Sequence, residues 1–241
     1  MSRLNFVARH QLKFLRDFCA FAAISALALG SARAEPSAPA VSADDLRWEK
    51  SIDAFTEADR NLAPPPGGIV FVGSSSIRLW NDLEKDFRGA HPIILNRGFG
   101  GATMSDCTRY LERVVIPYKP RLVLVYAGDN DLAEGRQPRE VLDQFASFVE
   151  GIRRILPATR IAYISIKPSP SRARLIAKIR ETNELILKYI TAGENLDFID
   201  VFTPMLDPEG HPRSELFGAD ALHLNRTGYS LWKSIIAPRV R

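Results

Sequence analysis

Short apolar runs and stretches of helical apolar spacing follow one another along the chain. Short apolar runs bounded by Gly, Pro or polar residues are typical of buried parallel strands. The predicted strands are residues 68–72, 92–95, 121–127, 160–166 and 197–201. The predicted helices are residues 42–61, 76–87, 104–117, 138–156, 172–191 and a last one from residue 225. Because strand and helix alternate, we expect one α/β domain with a parallel sheet between two layers of helices.

The first predicted strand ends at Gly73 and is followed by three serines, Ser74, Ser75 and Ser76. A glycine permits a sharp turn from strand to helix, and a serine just beyond it lies beside helix amides that could stabilise an oxyanion. The same serines could instead only cap a helix. A phosphate-binding loop is excluded, because Ser74 stands where its lysine is required and the preceding residues resemble a strand.

Two more loops follow predicted strands, and both carry polar or glycine residues. Residues 96–103 are too rich in glycine for a regular element, and residues 128–131 read Gly-Asp-Asn-Asp. Ligands bind beyond the carboxyl ends of parallel strands, so we expect these loops to share one edge with the serine turn. Asp129 and Asp131 could bind a metal ion, although hydrogen bonding within the loop is the simpler interpretation.

A fourth segment places Asp220 three residues before His223, ahead of the last helix. A carboxylate at that spacing can accept from one imidazole nitrogen while the other faces a serine. Alone, the pair could equally be an ordinary turn or contribute metal ligands. His91, and His211 with Asp207, are weaker candidates because they lie in turns or beside a strand.

The chain begins with the pattern of a signal peptide, predicted over residues 1–34, followed by a linker at 35–41 and the domain at 42–241. A basic start precedes an apolar stretch at residues 18–30 that is too short to span a bilayer comfortably, and small residues then offer a cleavage site. We therefore expect an exported protein, periplasmic or secreted, with no stable membrane anchor after signal removal.

Removing this segment changes the charge of the protein. The full chain has 32 Lys and Arg against 28 Asp and Glu residues; five of the former and one of the latter precede residue 35, so the remainder is neutral. This removes the main support for nucleic-acid binding. The one cysteine left, Cys107, is expected to be buried and inert.

Basic side chains near the predicted site allow two interpretations. Arg78 and Arg97 could bind an acidic substrate or pair with local carboxylates. Arg172 belongs to a helix that is basic along one side, which predicts a solvated face.

Together, the Gly73-Ser74-Ser75 turn, the loop at 96–103, Gly128-Asp129-Asn130-Asp131 and Asp220-Ala221-Leu222-His223 resemble the motif blocks of the SGNH, or GDSL-like, hydrolase superfamily. The resemblance extends over residues 69–232 and implies a flavodoxin-like three-layer sandwich. It implies that Ser75 is the nucleophile and His223 the base, oriented by Asp220. The oxyanion hole would comprise the Ser75 and Gly101 amides and the Asn130 side chain.

This sequence departs from the family pattern at two supporting positions, where Ser74 and Ala102 replace aspartates. We expect these departures to change the hydrogen bonding around the loop at 96–103 more than the reacting groups. We expect an esterase acting on small or short-chain carboxylic esters without metal or cofactor. Alternatives are a carbohydrate O-acetyl esterase, a lysophospholipase or thioesterase, and a non-catalytic periplasmic binding protein of the same fold.

Overall fold

The computed structural model describes residues 47–240. A single parallel sheet of five strands has the order β2-β1-β3-β4-β5. The strands are β1 Ile69–Gly73, β2 Ile94–Gly98, β3 Leu122–Tyr126, β4 Arg160–Ile164 and β5 Leu196–Ile199. This is the strand order of flavodoxin-like folds, and it confirms the predicted fold class.

Helices cover both faces of the sheet. They are α1 Glu49–Asn61, α2 Ser75–Arg78, α3 Leu83–Phe87, α4 Met104–Arg109, α5 Leu111–Val114, α6 Asp129–Ala133, α7 Pro138–Ile155, α8 Ile176–Thr191 and α9 Arg226–Ile236. Local sequence fixes several starting points. Thr103 and Asp106 form a reciprocal capping box at α4, the Asn225 side chain accepts from the Gly228 amide at α9, and Pro138 opens α7.

The core consists of two apolar layers separated by the sheet. Alternate residues of a strand point to opposite faces, so Val70 and Val72 of β1 pack with α1, α4, α7 and α8, whereas Ile69 and Phe71 pack with α2, α3 and α9. Both faces of β1 are therefore fully buried, which explains its continuous apolar sequence.

Several element boundaries differ from those predicted. The predicted loop at 96–103 is wrong in its first part, because β2 continues to Gly98 in register with β1. The helix predicted over 76–87 is divided, because the chain turns at Asn81 and Asp82 while Trp80 inserts into the core. Residues 129–131 open the short helix α6 instead of forming a loop.

Helices predicted over 104–117 and 172–191 are also interrupted. The first divides at Tyr110 into α4 and α5, and a 3-10 turn follows at Ile116–Tyr118. The second begins with a 3-10 segment, Pro170–Leu175, before α8. Apolar spacing predicted which faces are buried but not these breaks in backbone hydrogen bonding.

Gly73 brings the end of β1 against the end of β3. Its φ is 144°, and a Cβ there would stand 2.0 Å from the carbonyl oxygen of Tyr126. The next residue, Ser74, donates its amide to that same carbonyl at 3.0 Å. This contact directs the chain out of the sheet, so that Ser75 becomes the first residue of α2.

Among residues 47–240, no helix combines the length and apolar character needed to cross a membrane. The predicted signal peptide and linker, residues 1–41, lie outside the described residues.

We expect Gly73→Ala to lower the free energy of unfolding by about 2 to 4 kcal/mol, because the new methyl group meets backbone that cannot move aside and φ is positive. Urea denaturation measures the change. Gly89→Ala is the matched control, since nothing lies within 4 Å of its added Cβ. Equal stability of the two variants would contradict the importance of this contact.

Candidate active site

Ser75 lies at the carboxyl edge of the sheet and contacts a histidine distant in sequence. Its Oγ is 2.9 Å from Nε2 of His223, which follows β5 and precedes α9. Ser75 is half-buried, whereas Ser74 and Ser76 on either side are buried. The hydroxyl at the centre of the serine triplet is therefore the one in contact with the imidazole.

Asp220 holds the other side of the imidazole ring. Its Oδ2 lies 2.6 Å from Nδ1 of His223, and its Oδ1 accepts from the amides of Leu222 and His223. Ala221 adopts a left-handed φ of 54°, which bends the turn so that both contacts form. The two amides, and then the ring, hold the pKa of Asp220 well below its usual range. The carboxylate therefore stays ionised and fixes the ring orientation.

The loop after β2 lies directly beside the serine turn. Phe99 donates its amide to the carbonyl of Gly73 at 2.9 Å, and Trp48 donates Nε1 to the carbonyl of Gly100 at 2.7 Å. Gly101 has a φ of 80°. Within residues 47–240, the amides of Ser75 and Gly101 donate to no other residue. Both donors are free to bind a substrate oxygen.

Asn130, in the first turn of α6, has one side-chain hydrogen left for a ligand. Its Nδ2 donates to the carbonyl of Ala102 at 3.0 Å, while its Oδ1 accepts from Arg172 at 2.8 Å. An amide group has two N–H bonds, so the second remains available beside the loop that carries Gly101. Contacts on both ends fix the orientation of the amide.

A buried ionic cluster, Lys167–Asp129–Arg172, supports Asn130. Oδ2 of Asp129 lies 3.0 Å from Lys167 Nζ and 3.0 Å from an Arg172 nitrogen, and the Lys167 side chain is only 1% exposed. Burial would raise the pKa of Asp129, but the two cations outweigh it and hold the pKa below its ordinary value. One carboxylate thus faces two cations, and the cluster has a net positive charge.

Sequence reasoning missed this cluster. Arg172 is wrongly predicted as part of a solvated face, since it is largely buried against Asp129 and Asn130. The position of Lys167 could have indicated a role at the site. It directly follows a predicted strand and begins the loop at the edge of the sheet where the other motifs meet. A charged residue at such a position rarely becomes buried without a partner.

Asp131 supports the start of α4, the helix that follows the loop after β2. Both of its carboxylate oxygens lie 3.1 Å from the amide of Met104, the first residue of α4. Burial raises the pKa of Asp131 to about 6, and the Met104 amide only partly opposes the shift. The two acidic residues flanking Asn130 therefore have separate structural partners, which agrees with the interpretation as loop hydrogen bonding.

The remaining candidate residues do not join Ser75. His211 pairs with Asp207 at 3.6 Å on an exposed turn, and His91 contacts the backbone of Ile93. Cys107 is buried, and burial raises the pKa of its thiol well above the ordinary value. The structure thus separates these residues from the Ser75–His223 contact.

The two family departures have different structural surroundings. Ser74 is buried, and its hydroxyl has no hydrogen-bond partner within residues 47–240. Ala102 is buried as well, and its carbonyl accepts from Asn130. The carbonyl of residue 102 therefore contributes to the loop although its side chain cannot.

Comparison with known proteins identifies related sequences and folds. The model of the GDSL-like lipase/acylhydrolase family matches residues 70–231. A GDSL-like lipase from Bacteroides thetaiotaomicron superposes with a TM-score of 0.68 at 22% identity, covering 78% of this chain and 96% of that one. The lipase/acylhydrolase from Enterococcus faecalis gives 0.61 at 23% identity, covering 72% and 95%.

A carbohydrate esterase family 3 protein from Talaromyces cellulolyticus gives a TM-score of 0.58 at 17% identity, covering 72% of this chain and 96% of that one. At these identities, the solved structures establish the shared fold alone. No curated protein sequence matches the chain.

We expect Asp131→Asn to gain stability relative to the native protein as pH rises from 4 to 7. The carboxyl has a pKa of about 6 in the folded state against an ordinary value of 3.8. Between these pH values the folded state binds more protons than the unfolded state, so the native protein loses stability as pH increases. The asparagine does not titrate, and the difference should approach about 3 kcal/mol.

Urea denaturation at a series of pH values measures this difference. Asp143→Asn is the control, since Asp143 lies on the exposed surface of α7 in a pair with Arg139. A difference between Asp131→Asn and the native protein that stays constant with pH would contradict the burial cost assigned to Asp131.

Proposed function

The chain belongs to the GDSL-like lipase/acylhydrolase family, a family of ester hydrolases, and we propose that it is a serine esterase cleaving small or short-chain carboxylic esters. The observation that carries the proposal is the 2.9 Å contact of Ser75 Oγ with His223 Nε2, with Asp220 on the opposite ring nitrogen. Hydroxyl, imidazole and carboxylate in this order are the arrangement by which a serine is activated for acyl transfer.

In the proposed first half-reaction, His223 Nε2 accepts the proton of Ser75 as Oγ attacks the ester carbonyl. Asp220 keeps the proton on Nδ1 and stabilises the imidazolium that forms. The protonated ring then donates to the departing alkoxide, and an acyl group remains on Ser75. Water, activated by the same imidazole, hydrolyses that ester and restores the serine.

The carbonyl oxygen becomes negative when the tetrahedral intermediate forms. The free amides of Ser75 and Gly101 and the remaining Nδ2 hydrogen of Asn130 are the donors proposed to bind it. These donors are held by the sheet edge before substrate arrives, so little reorganisation is needed. The net positive Lys167–Asp129–Arg172 cluster behind Asn130 favours the same negative charge.

The surroundings of Ser75 support a small substrate over a long acyl chain. Several residues of the serine turn, of the loop beside it and of the side chains that hydrogen bonds connect to that loop are polar or lack side chains: Ser74, Gly100, Gly101, Asn130 and Arg172. A site for long acyl chains requires apolar walls, because each buried methylene contributes about 0.8 kcal/mol. Export to the periplasm or the exterior is proposed from the signal-peptide pattern of residues 1–34.

We expect Ser75→Ala to lower kcat for para-nitrophenyl acetate by at least about 10⁴-fold and to abolish labelling by a fluorophosphonate. Asn130→Ala should lower kcat by about 10² to 10³-fold with a smaller change in KM. Ser74→Ala is the matched control, because its hydroxyl has no hydrogen-bond partner within residues 47–240.

Steady-state kinetics on para-nitrophenyl esters from acetate to dodecanoate complete this test. Full activity of Ser75→Ala would refute the assignment of the nucleophile. Highest kcat/KM on dodecanoate would favour a lysophospholipase or thioesterase. Inertness of the native protein towards every ester and towards the fluorophosphonate would favour a binding protein.

Arg172 is proposed as a positioning residue for Asn130. We expect Arg172→Met to lower kcat about tenfold with little change in KM, because Asn130 loses the donor that orients its amide. A cycle with Asn130→Ala measures the coupling: the double variant should be no slower than Asn130→Ala alone. Additive losses would indicate that Arg172 acts independently of Asn130.

A further inference from the structure

Arg97 and Arg78 flank the serine turn, and they have opposite environments. Arg97 is buried and donates to Asp59, to the Tyr118 hydroxyl and to the carbonyl of Asn96. Its charge is neutralised by Asp59 at 2.8 Å. It therefore connects β2 to α1 and to the 3-10 turn at Ile116–Tyr118, and its burial and its pairing with Asp59 make it a structural residue.

Arg78 is exposed, and within residues 47–240 it forms no ion pair. Its guanidinium nevertheless has a defined neighbour. The position that a Cβ on Gly100 would occupy is 2.9 Å from Arg78 Nε and 3.3 Å from a terminal nitrogen of the same group. The planar group therefore lies against the residue that immediately precedes the Gly101 amide.

Arg47 lies against the next glycine of the same loop. One of its terminal nitrogens is 3.2 Å from the position of a Cβ on Gly101. Glu134 faces it at 3.7 Å, with both side chains about half exposed. Arg47 is thus partly compensated, whereas Arg78 is not. The absence of side chains at Gly100 and Gly101 provides the space that both arginines use.

The charged groups around the loop differ in their pairing. Asp220 is engaged with His223, Glu134 faces Arg47, and Asp129 faces two cations, Lys167 and Arg172, with the Asp131 carboxylate two residues further on. Within residues 47–240, Arg78 is the cation of this group that no carboxylate contacts. A planar guanidinium with free donors matches the geometry of a carboxylate.

We infer that Arg78 is a specificity residue that binds an anionic group, such as a carboxylate, on the ester substrate, with Arg47 adding to the attraction. The inference rests on the proposed esterase function and narrows its substrate class to esters carrying a negative charge. Arg78 does not touch the reacting atoms in this arrangement, so its contribution should appear mainly in KM.

Two matched substrate pairs test the inference. Mono-para-nitrophenyl adipate and para-nitrophenyl hexanoate differ by a carboxylate on the acyl side. 4-Acetoxybenzoate and 4-acetoxybenzamide differ by a carboxylate on the alcohol side. The readout is the ratio of kcat/KM, anionic over neutral, in native protein and variants, because intrinsic reactivity cancels when these ratios are compared.

We expect Arg78→Gln to lower this ratio about tenfold in at least one pair, through a higher KM for the anionic ester. The pair affected identifies whether the charge belongs to the acyl or the alcohol part. Arg78→Lys should restore part of the ratio, since it keeps the charge but loses the fork of donors. Raising NaCl from about 0.05 to 0.5 M should lower the native ratio, because exposed charges are screened.

Arg139→Gln is the matched control, because it removes an exposed arginine from α7 that pairs with Asp143, and its ratio should equal the native value. If Arg78→Gln keeps the native ratio for both substrate pairs, the inference is overturned while the esterase function stands. If the native protein cleaves none of the four esters and Ser75 resists a fluorophosphonate, the proposed function fails and this inference fails with it.

Discussion

The close approach of Gly73 to the carbonyl of Tyr126 determines where every other group of the site must lie. With a side chain at residue 73, the end of β1 would have to leave β3. Because the approach is possible, Ser74 donates to that carbonyl and Ser75 opens α2 at the sheet edge. The loop after β2 is held to the same glycine through the Phe99 amide, so the segment that carries Gly101 lies beside the turn that carries Ser75.

Burying Lys167, Asp129 and Arg172 together is expensive, since each ion loses its hydration. The cost is offset in part by the short contacts to Asp129, which leave these three groups with one more cation than anion. Arg172 donates to Asn130, so this charge lies beside the amide that is proposed to bind the negative oxygen.

The sequence predicted the fold class and the meeting of Ser75, Asp220 and His223, because strand ends in a parallel sheet share one edge, Asp220 and His223 belong to one turn, and the motif resemblance relates that turn to Ser75. Lys167 and Arg172 belong to no motif of that resemblance, and nothing in the sequence indicates that they pair with Asp129. The extent of β2 was missed for a related reason: Asn96 and Arg97 are polar, and only pairing with β1 makes them a strand.

The two carboxylates nearest the site have opposite surroundings, and these suit the two charges of the proposed intermediate. Asp220 is half exposed and held by the amides of its own turn, so a negative charge faces His223. Asp129 is buried between two cations, so the side of Asn130 is positive. Acyl transfer by a serine creates an imidazolium and an oxyanion at the same moment. In the proposed reaction, this distribution of charge would stabilise both groups without movement of the surrounding residues.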